Sequence, residues 1–248
     1  KNDEIGLEKL INFLIKNKVD AIFILGTTGE FTKLSLSEKI SIIETSTKII
    51  NNRIPLVVGV SAKNISETVE LIEVASRLNS GAVVLAPLFG NGDVEDKINI
   101  TLKNSKLPII IYNNPDIHNN QNLDLEVIKK YHNNSKIIGI KDSSGNEEYF
   151  NQLENISSDK FLVFQGSETS YLKHPEKYPV GLISGSANIY PKEFRALLDN
   201  PNDNNIANVS NLKKLLKETF PNAILGVKTT LVKMEIINFR NMDAIRFS

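Results

Sequence analysis

The chain has 248 residues, 41% of them hydrophobic, which is enough for one large core and is the usual size of a single α/β barrel. Lys plus Arg and Asp plus Glu each number 29, so the net charge is zero and the chain carries no electrostatic footprint for nucleic acid or a membrane surface. It has no cysteine, which excludes disulfides, cysteine-ligated zinc and a thiol nucleophile; a reducing, cytoplasmic setting is the expectation. No apolar run approaches the length of a membrane span and no signal peptide is visible. The sequence opens at Lys1 rather than at methionine.

Residues 7–17 read as an amphipathic helix, the one that would follow a first strand lying before Lys1. Short runs rich in Ile, Val, Leu and Phe then occur at 21–25, 54–60, 82–86, 108–112, 136–141, 161–165 and 180–184. Each is continuous rather than alternating, as in strands covered on both faces. Amphipathic segments at 37–51, 64–79, 93–104, 123–132 and 146–157 separate them, the first opened by the helix-start signal Ser35-Leu36-Ser37-Glu38. The last strand residues, Leu25, Val60, Ala86, Tyr112, Lys141, Gln165 and Ser184, recur at intervals of 35, 26, 26, 29, 24 and 19. A steady βα repeat builds a parallel sheet. The phosphate-binding glycine fingerprint of an open doubly wound sheet follows none of the strands. The fold expected is therefore a (β/α)₈ TIM barrel over 1–198, with its first strand before Lys1. Helical patterns at 191–198, 204–219 and 223–239 exceed one barrel helix, so 199–248 is expected to be a C-terminal helical extension of the same domain.

Active sites in such barrels lie at the C-terminal ends of the strands. Polar or glycine-rich signatures recur there: Gly26-Thr27-Thr28-Gly29-Glu30, Tyr112-Asn113-Asn114-Pro115, Lys141, Gly166-Ser167-Glu168 and Ser184-Gly185-Ser186-Ala187-Asn188. Lys141 is the most informative. Burial favours the neutral form of a lysine amine, and the neutral amine is the form that attacks a carbonyl carbon. Strand alternation puts Gly139 and Ile137 on its side, with Gly139 leaving space beneath it, and puts Asp142 on the other as a structural residue. Tyr112 ends the adjacent strand, where a phenol could carry protons to groups bound on Lys141. Taken singly, Lys141 also reads as a surface lysine and Tyr112 as a packing aromatic; together at one end of one barrel they read as chemistry. Gly26-Thr27-Thr28-Gly29 offers hydroxyls and backbone N–H groups that could converge on a carboxylate, or forms a plain turn. Glu30 could be a second acid–base group, but it reads better as a structural carboxylate hydrogen-bonding that loop. His118, His132 and His174 have no ligand spacing and read as loop or surface residues, so no metal site is expected.

These motifs, in this order and spacing from about residue 5 to about residue 200, resemble the dihydrodipicolinate synthase / N-acetylneuraminate lyase family. The resemblance implies metal-independent class I pyruvate aldolases or lyases on a (β/α)₈ barrel, usually tetrameric, so a homo-oligomer is expected, with no cofactor beyond the lysine imine. It implies that Lys141 forms the Schiff base with a 2-keto acid and that Tyr112 is the acid–base group. It further implies that Thr27 orients Tyr112, and that Thr28 binds the pyruvate carboxylate with the loop amides around Gly26 and Gly29. Two positions depart from the synthases of the family. Phe89 stands where they carry a tyrosine that reaches a neighbouring subunit, and Ile117 where they carry an arginine for the aldehyde's carboxylate. Both changes point toward sugar-acid aldolases such as 2-keto-3-deoxygluconate aldolases, whose hydroxyls Ser143, Glu168 and Ser186 could receive. The leading expectation is reversible cleavage of a 2-keto-3-deoxy sugar acid to pyruvate and an aldehyde. Dihydrodipicolinate synthase, joining pyruvate to aspartate semialdehyde, is the second. A non-catalytic keto-acid-binding barrel is the third, and the presence of Lys141, Tyr112 and Thr27 together argues against it.

Overall fold

The computed structural model describes residues 3–178 and 180–238. In chain order the elements are α1 (Glu4–Lys16), β1 (Ile22–Ile24), α2 (Leu36–Ile50), β2 (Leu56–Gly59), α3 (Ile65–Arg77), β3 (Ala82–Leu85), α4 (Val94–Asn104) and β4 (Ile109–Asn113). Then follow α5 (Leu125–Tyr131), β5 (Ile137–Asp142), α6 (Glu147–Glu154), β6 (Leu162–Gln165), α7 (Glu168–Lys173), α8 (Pro191–Asp199), α9 (Asp203–Thr219) and α10 (Ala223–Lys233). Among the described residues no helix is long and apolar enough to cross a membrane.

The chain divides into two compact units, one comprising Lys1–Leu56 and Ser184–Ser248, the other Val57–Ile183. In the second unit the strands pair in parallel and in chain order, β2 with β3, β3 with β4, β4 with β5 and β5 with β6. Sequential parallel pairing is what repeated βα units produce. Val58, Val83, Val84, Ile109, Ile111, Ile137, Ile140 and Val163 are all buried, which is why these runs show no polar alternation. In the first unit Leu10, Ile11 and Leu14 of α1, Ile42 and Ile43 of α2, Phe194 and Leu197 of α8 and Val227 and Leu231 of α10 supply the core.

Helix starts follow local chemistry. Ser35 and Glu38 form a reciprocal capping box at α2, and Asn64, Asp93, Asp124, Asn146, Ser167, Asn202 and Asn222 each accept a backbone N–H with the side chain at the start of their helices. Such a cap is worth about 0.5–2 kcal/mol against alanine. The helical expectation at 223–239 corresponds to α10 up to Lys233, and Phe239 lies outside the described residues.

One expected strand is corrected. The run 180–184 forms only an isolated parallel bridge, Leu182 with Gln165, closed by the bonds Gln165 N–H to the Gly181 carbonyl (3.1 Å) and Ile183 N–H to the Gln165 carbonyl (2.9 Å). Gly181 has φ +119°, a turn conformation outside the strand region, so the ladder cannot extend through it.

Candidate active site

The register between β4 and β5 decides the geometry. Ile109 pairs with Ile137, but Ile110 pairs with Gly139, so Ile138 is an extra residue with no opposite number on β4. Continued without that slip, the ladder would have set Tyr112 against Ile140. With it, Tyr112 pairs with Lys141 and Asn113 with Asp142. Irregularities of this kind re-aim side chains near functional sites. Paired residues of a sheet share a face, and the Lys141 Nζ lies 4.4 Å from the centroid of the Tyr112 ring, within the range where a lysine head group and an aromatic face attract. Lys141 is 7% exposed and Tyr112 4%.

The surrounding polar groups fix this arrangement. Asn114 donates from Nδ2 to the Tyr112 phenol oxygen at 2.8 Å. Asn113 donates to Asp142 (2.7 Å) and to Asn122 (2.9 Å), and its own oxygen accepts the Leu123 N–H (2.9 Å). Asp142 also accepts from the Ser144 N–H (3.2 Å) and hydroxyl (2.8 Å). Burial pushes the Asp142 carboxyl above its ordinary range, against the opposing pull of these donors from Asn113 and Ser144. Asp142 is thus the structural residue expected, bracing the ends of both strands.

Gly139 serves a purpose other than the one expected. A Cβ there would lie 2.2 Å from the Leu162 carbonyl oxygen, so glycine is required by the close approach of the β6 backbone and not by space for the lysine. The glycine that faces the lysine is Gly166. A Cβ on it would meet the Ser143 hydroxyl at 2.1 Å, the Asp142 carbonyl at 2.8 Å and the Lys141 Cε at 2.9 Å. Ser143 is therefore brought beside Lys141, its N–H donating to the Asn113 carbonyl at 2.9 Å. Glu168 opens α7 within the same unit, two residues beyond Gly166.

The turn after β1 belongs to the first unit. Its left-handed residues are Leu25 (φ +59°) and Glu30 (φ +53°), while Gly26 and Gly29 keep other conformations. A non-glycine residue held there costs on the order of 1–2 kcal/mol, strain of the sort found at functional turns. The Glu30 N–H donates to the Thr27 carbonyl (2.9 Å) and the Phe31 N–H to that of Gly26 (3.4 Å). Glu30 bonds Lys33 at 2.5 Å and ion-pairs with Lys228 of α10, the latter pair about nine-tenths buried on both sides. Burial alone would raise the Glu30 carboxyl; the hydrogen bonds and charges of Lys228 and Lys33 outweigh it and hold the group below its ordinary range. Glu30 is therefore a structural carboxylate, as expected. Gly185 packs on this turn: a Cβ there would sit 2.6 Å from the Thr28 hydroxyl oxygen. Ser186 is buried just after it.

His132 packs edge-on to Phe161, His174 lies near Glu176, and His118 closes the short 3-10 helix Pro115–Ile117. Among the described residues no group of three or more His, Asp or Glu is placed to hold a metal ion.

Three features escaped the sequence reading. Asn114 stood inside a quoted motif but had no part assigned to it. Gly166 was visible as a strand-end glycine without its neighbour. Lys228, 198 residues from Glu30, gave no signal at all.

Residues 1–242 match the Dihydrodipicolinate synthetase family. The chain belongs to that family. A 4-hydroxy-tetrahydrodipicolinate synthase of Staphylococcus epidermidis is 30% identical over 219 residues, covering 86% of this chain and 74% of its own. The structure of dihydrodipicolinate synthase from Bacteroides thetaiotaomicron superposes with a TM-score of 0.83 at 25% identity, covering 98% of this chain and 90% of that one. A 2-keto-3-deoxygluconate aldolase from Picrophilus torridus is as similar, with a TM-score of 0.82 and 26% identity over 95% of this chain and 88% of its own. The architecture is accordingly α/β, of the TIM-barrel kind with a C-terminal helical extension. Members of the family are lyases, class I aldolases that form a lysine Schiff base with pyruvate and need no metal, and this protein is an enzyme of that class.

Proposed function

We propose that this protein reversibly cleaves a 2-keto-3-deoxy sugar acid to pyruvate and an aldehyde through an imine on Lys141. The observation that carries the reading is the register slip at Ile138, which brings a buried lysine amine over the ring of a buried tyrosine. The neutral amine adds to the keto carbon to give a carbinolamine, which loses water to form the imine. Bond breaking between the carbons β and γ to the carboxylate then leaves its electron pair in the enamine as the aldehyde departs. Protonation of the enamine and hydrolysis release pyruvate and restore the lysine. Tyr112 is proposed as the group that moves protons in these steps. Thr27 is proposed to orient that phenol, and Thr28, with the amides of the turn at Gly26 and Gly29, to bind the carboxylate; the family resemblance supports these assignments. Ser143, Glu168 and Ser186 are proposed for the hydroxyls of the aldehyde part. We further take 1–198 as the barrel and 199–248 as an extension of the same domain, and the working form as a cytoplasmic homotetramer.

The choice of aldehyde rests on charge. Ile117 ends the 3-10 helix after β4, half-buried and without charge, at the position where the family resemblance implies an arginine in the synthases. An anionic aldehyde left without a cation in a partly dry pocket costs several kcal/mol. The second reading, condensation of pyruvate with aspartate semialdehyde, is favoured by the names of curated relatives such as that of Staphylococcus epidermidis. Condensation assays with pyruvate and either glyceraldehyde or aspartate semialdehyde separate the two. Higher kcat/KM with glyceraldehyde is the expected result, and a clear preference for aspartate semialdehyde moves the protein to the second reading.

A further inference from the structure

The amide of Asn114 has a fixed direction. Its oxygen accepts the Asp116 N–H at 3.2 Å, so the opposite corner, Nδ2, faces the Tyr112 oxygen at 2.8 Å. An amide nitrogen only donates, so at this contact the phenol oxygen can only accept. The phenol hydrogen must then be directed to some other acceptor. Asn114 is itself 6% exposed, and it precedes Pro115, which favours the extended backbone (φ −146°, ψ 95°) that turns its side chain back toward residue 112. Its neighbour Asn113 is locked to Asp142, Asn122 and Leu123, so the strand end presenting the amide is braced on three sides.

From this geometry we infer that Asn114 is a positioning residue for Tyr112, and that it acts in two ways. It fixes the rotation of the phenol O–H, so that the proton is presented away from the amide. It also stabilises negative charge on the phenol oxygen while that proton is away, because a donated hydrogen bond favours the charged form of its acceptor. The inference deepens the proposed function and rests on the assignment of Tyr112 as the proton carrier.

The test uses the full chain, with pyruvate as the probe. Deuterium exchange at the pyruvate methyl group, followed by NMR, needs both the imine and a proton carrier but no aldehyde. Asn114→Val removes the donor and suits the extended backbone; it is expected to slow exchange about 3- to 10-fold, the worth of one neutral hydrogen bond. KM for pyruvate and borohydride trapping at Lys141 should stay as in the wild type. Asn114→Asp replaces the donor with an acceptor that draws the phenol hydrogen to itself, and is expected to slow exchange further and shift the pH profile. In a Tyr112→Phe background, Asn114→Val should cost nothing more, since the oxygen it serves is gone. Exchange by Asn114→Val at the wild-type rate, or an equal loss in the Tyr112→Phe background, overturns the inference while leaving the imine intact. Failure of borohydride and pyruvate to label wild-type Lys141 overturns the functional reading and this inference with it.

Discussion

The ends of β4 and β5 and the turn from Gly26 to Glu30 are both polar, and they are held by different means. At the strand ends the fixing is by sheet register and neutral amides: Tyr112 opposite Lys141, Asn114 on the phenol, Asn113 on Asp142. At the turn the fixing is by charge and strained backbone: Glu30 clamped between Lys33 and Lys228, with Leu25 and Glu30 left-handed. The buried lysines make the same contrast. Lys228 is matched to a carboxylate, Lys97 donates to the carbonyls of Pro87 (2.8 Å), Phe89 (3.0 Å) and Gly90 (3.2 Å), and Lys141 lies over the Tyr112 ring. A group meant to hold a turn gains from the ion pair.

The comparison breaks most sharply at Lys141. Lys141→Ala removes the amine, and Lys141→Arg leaves a guanidinium that stays protonated and cannot attack. Both variants should lose turnover entirely in a coupled pyruvate assay, while the circular dichroism spectrum is unchanged. Tyr112→Phe comes next. It keeps the ring that packs and removes the phenol, so kcat should fall by roughly 10²–10⁴, the usual worth of a positioned acid–base group. A loss below about threefold would make Tyr112 a packing residue.

Two glycines carry the comparison to the backbone. In Gly166→Ala the new methyl meets the fixed Asp142 carbonyl as well as the Lys141 side chain, so stability should drop by about 1–3 kcal/mol and kcat with it. In Gly185→Ala the methyl meets mainly the Thr28 side chain, which can rotate, so the fold should survive and the effect should appear in KM for pyruvate. Denaturant melts and a kcat-against-KM comparison of the two variants check this. Equal effects on KM would remove the distinction drawn between strand end and turn.

How far this was legible in the sequence follows from the range of each interaction. The strands from β1 to β6 were visible because burial on both faces writes continuous runs of Ile and Val. The adjacency of Tyr112 and Lys141 was visible because sequential βα units pair neighbouring strands. The slip at Ile138 that puts them in register was not, because nothing in Ile137-Ile138-Gly139-Ile140 marks which residue lacks a partner. Gly139 was misread for a related reason: a strand glycine reports a close approach but not its direction, and the close neighbour is the β6 backbone. The run 180–184 looked like a strand by composition, and Gly181 ended it. The partner of Glu30 lies on α10, beyond any local pattern.

The remaining expected effect concerns acid and stability rather than turnover. The Glu30 carboxyl is held below its ordinary value of 4.5, so it contributes stability fully above that pH and loses it as the pH falls through the lowered folded value. Glu30→Gln should cost about 2 kcal/mol at pH 7, less than the 3–5 of a fully buried pair because both partners keep some solvent contact. The Tm gap between wild type and Glu30→Gln should narrow as the pH is lowered toward 3. A gap that does not change with pH would mean that the carboxylate acts by shape and not by charge.

The central claim is that the register slip at Ile138 presents Lys141 as the imine-forming amine, and reduction with borohydride in the presence of pyruvate tests it most directly. Peptide mass spectrometry should find one reduced pyruvyl group per chain, on a peptide containing Lys141, and none in Lys141→Ala. Label on another lysine, or no label at all, would contradict the account.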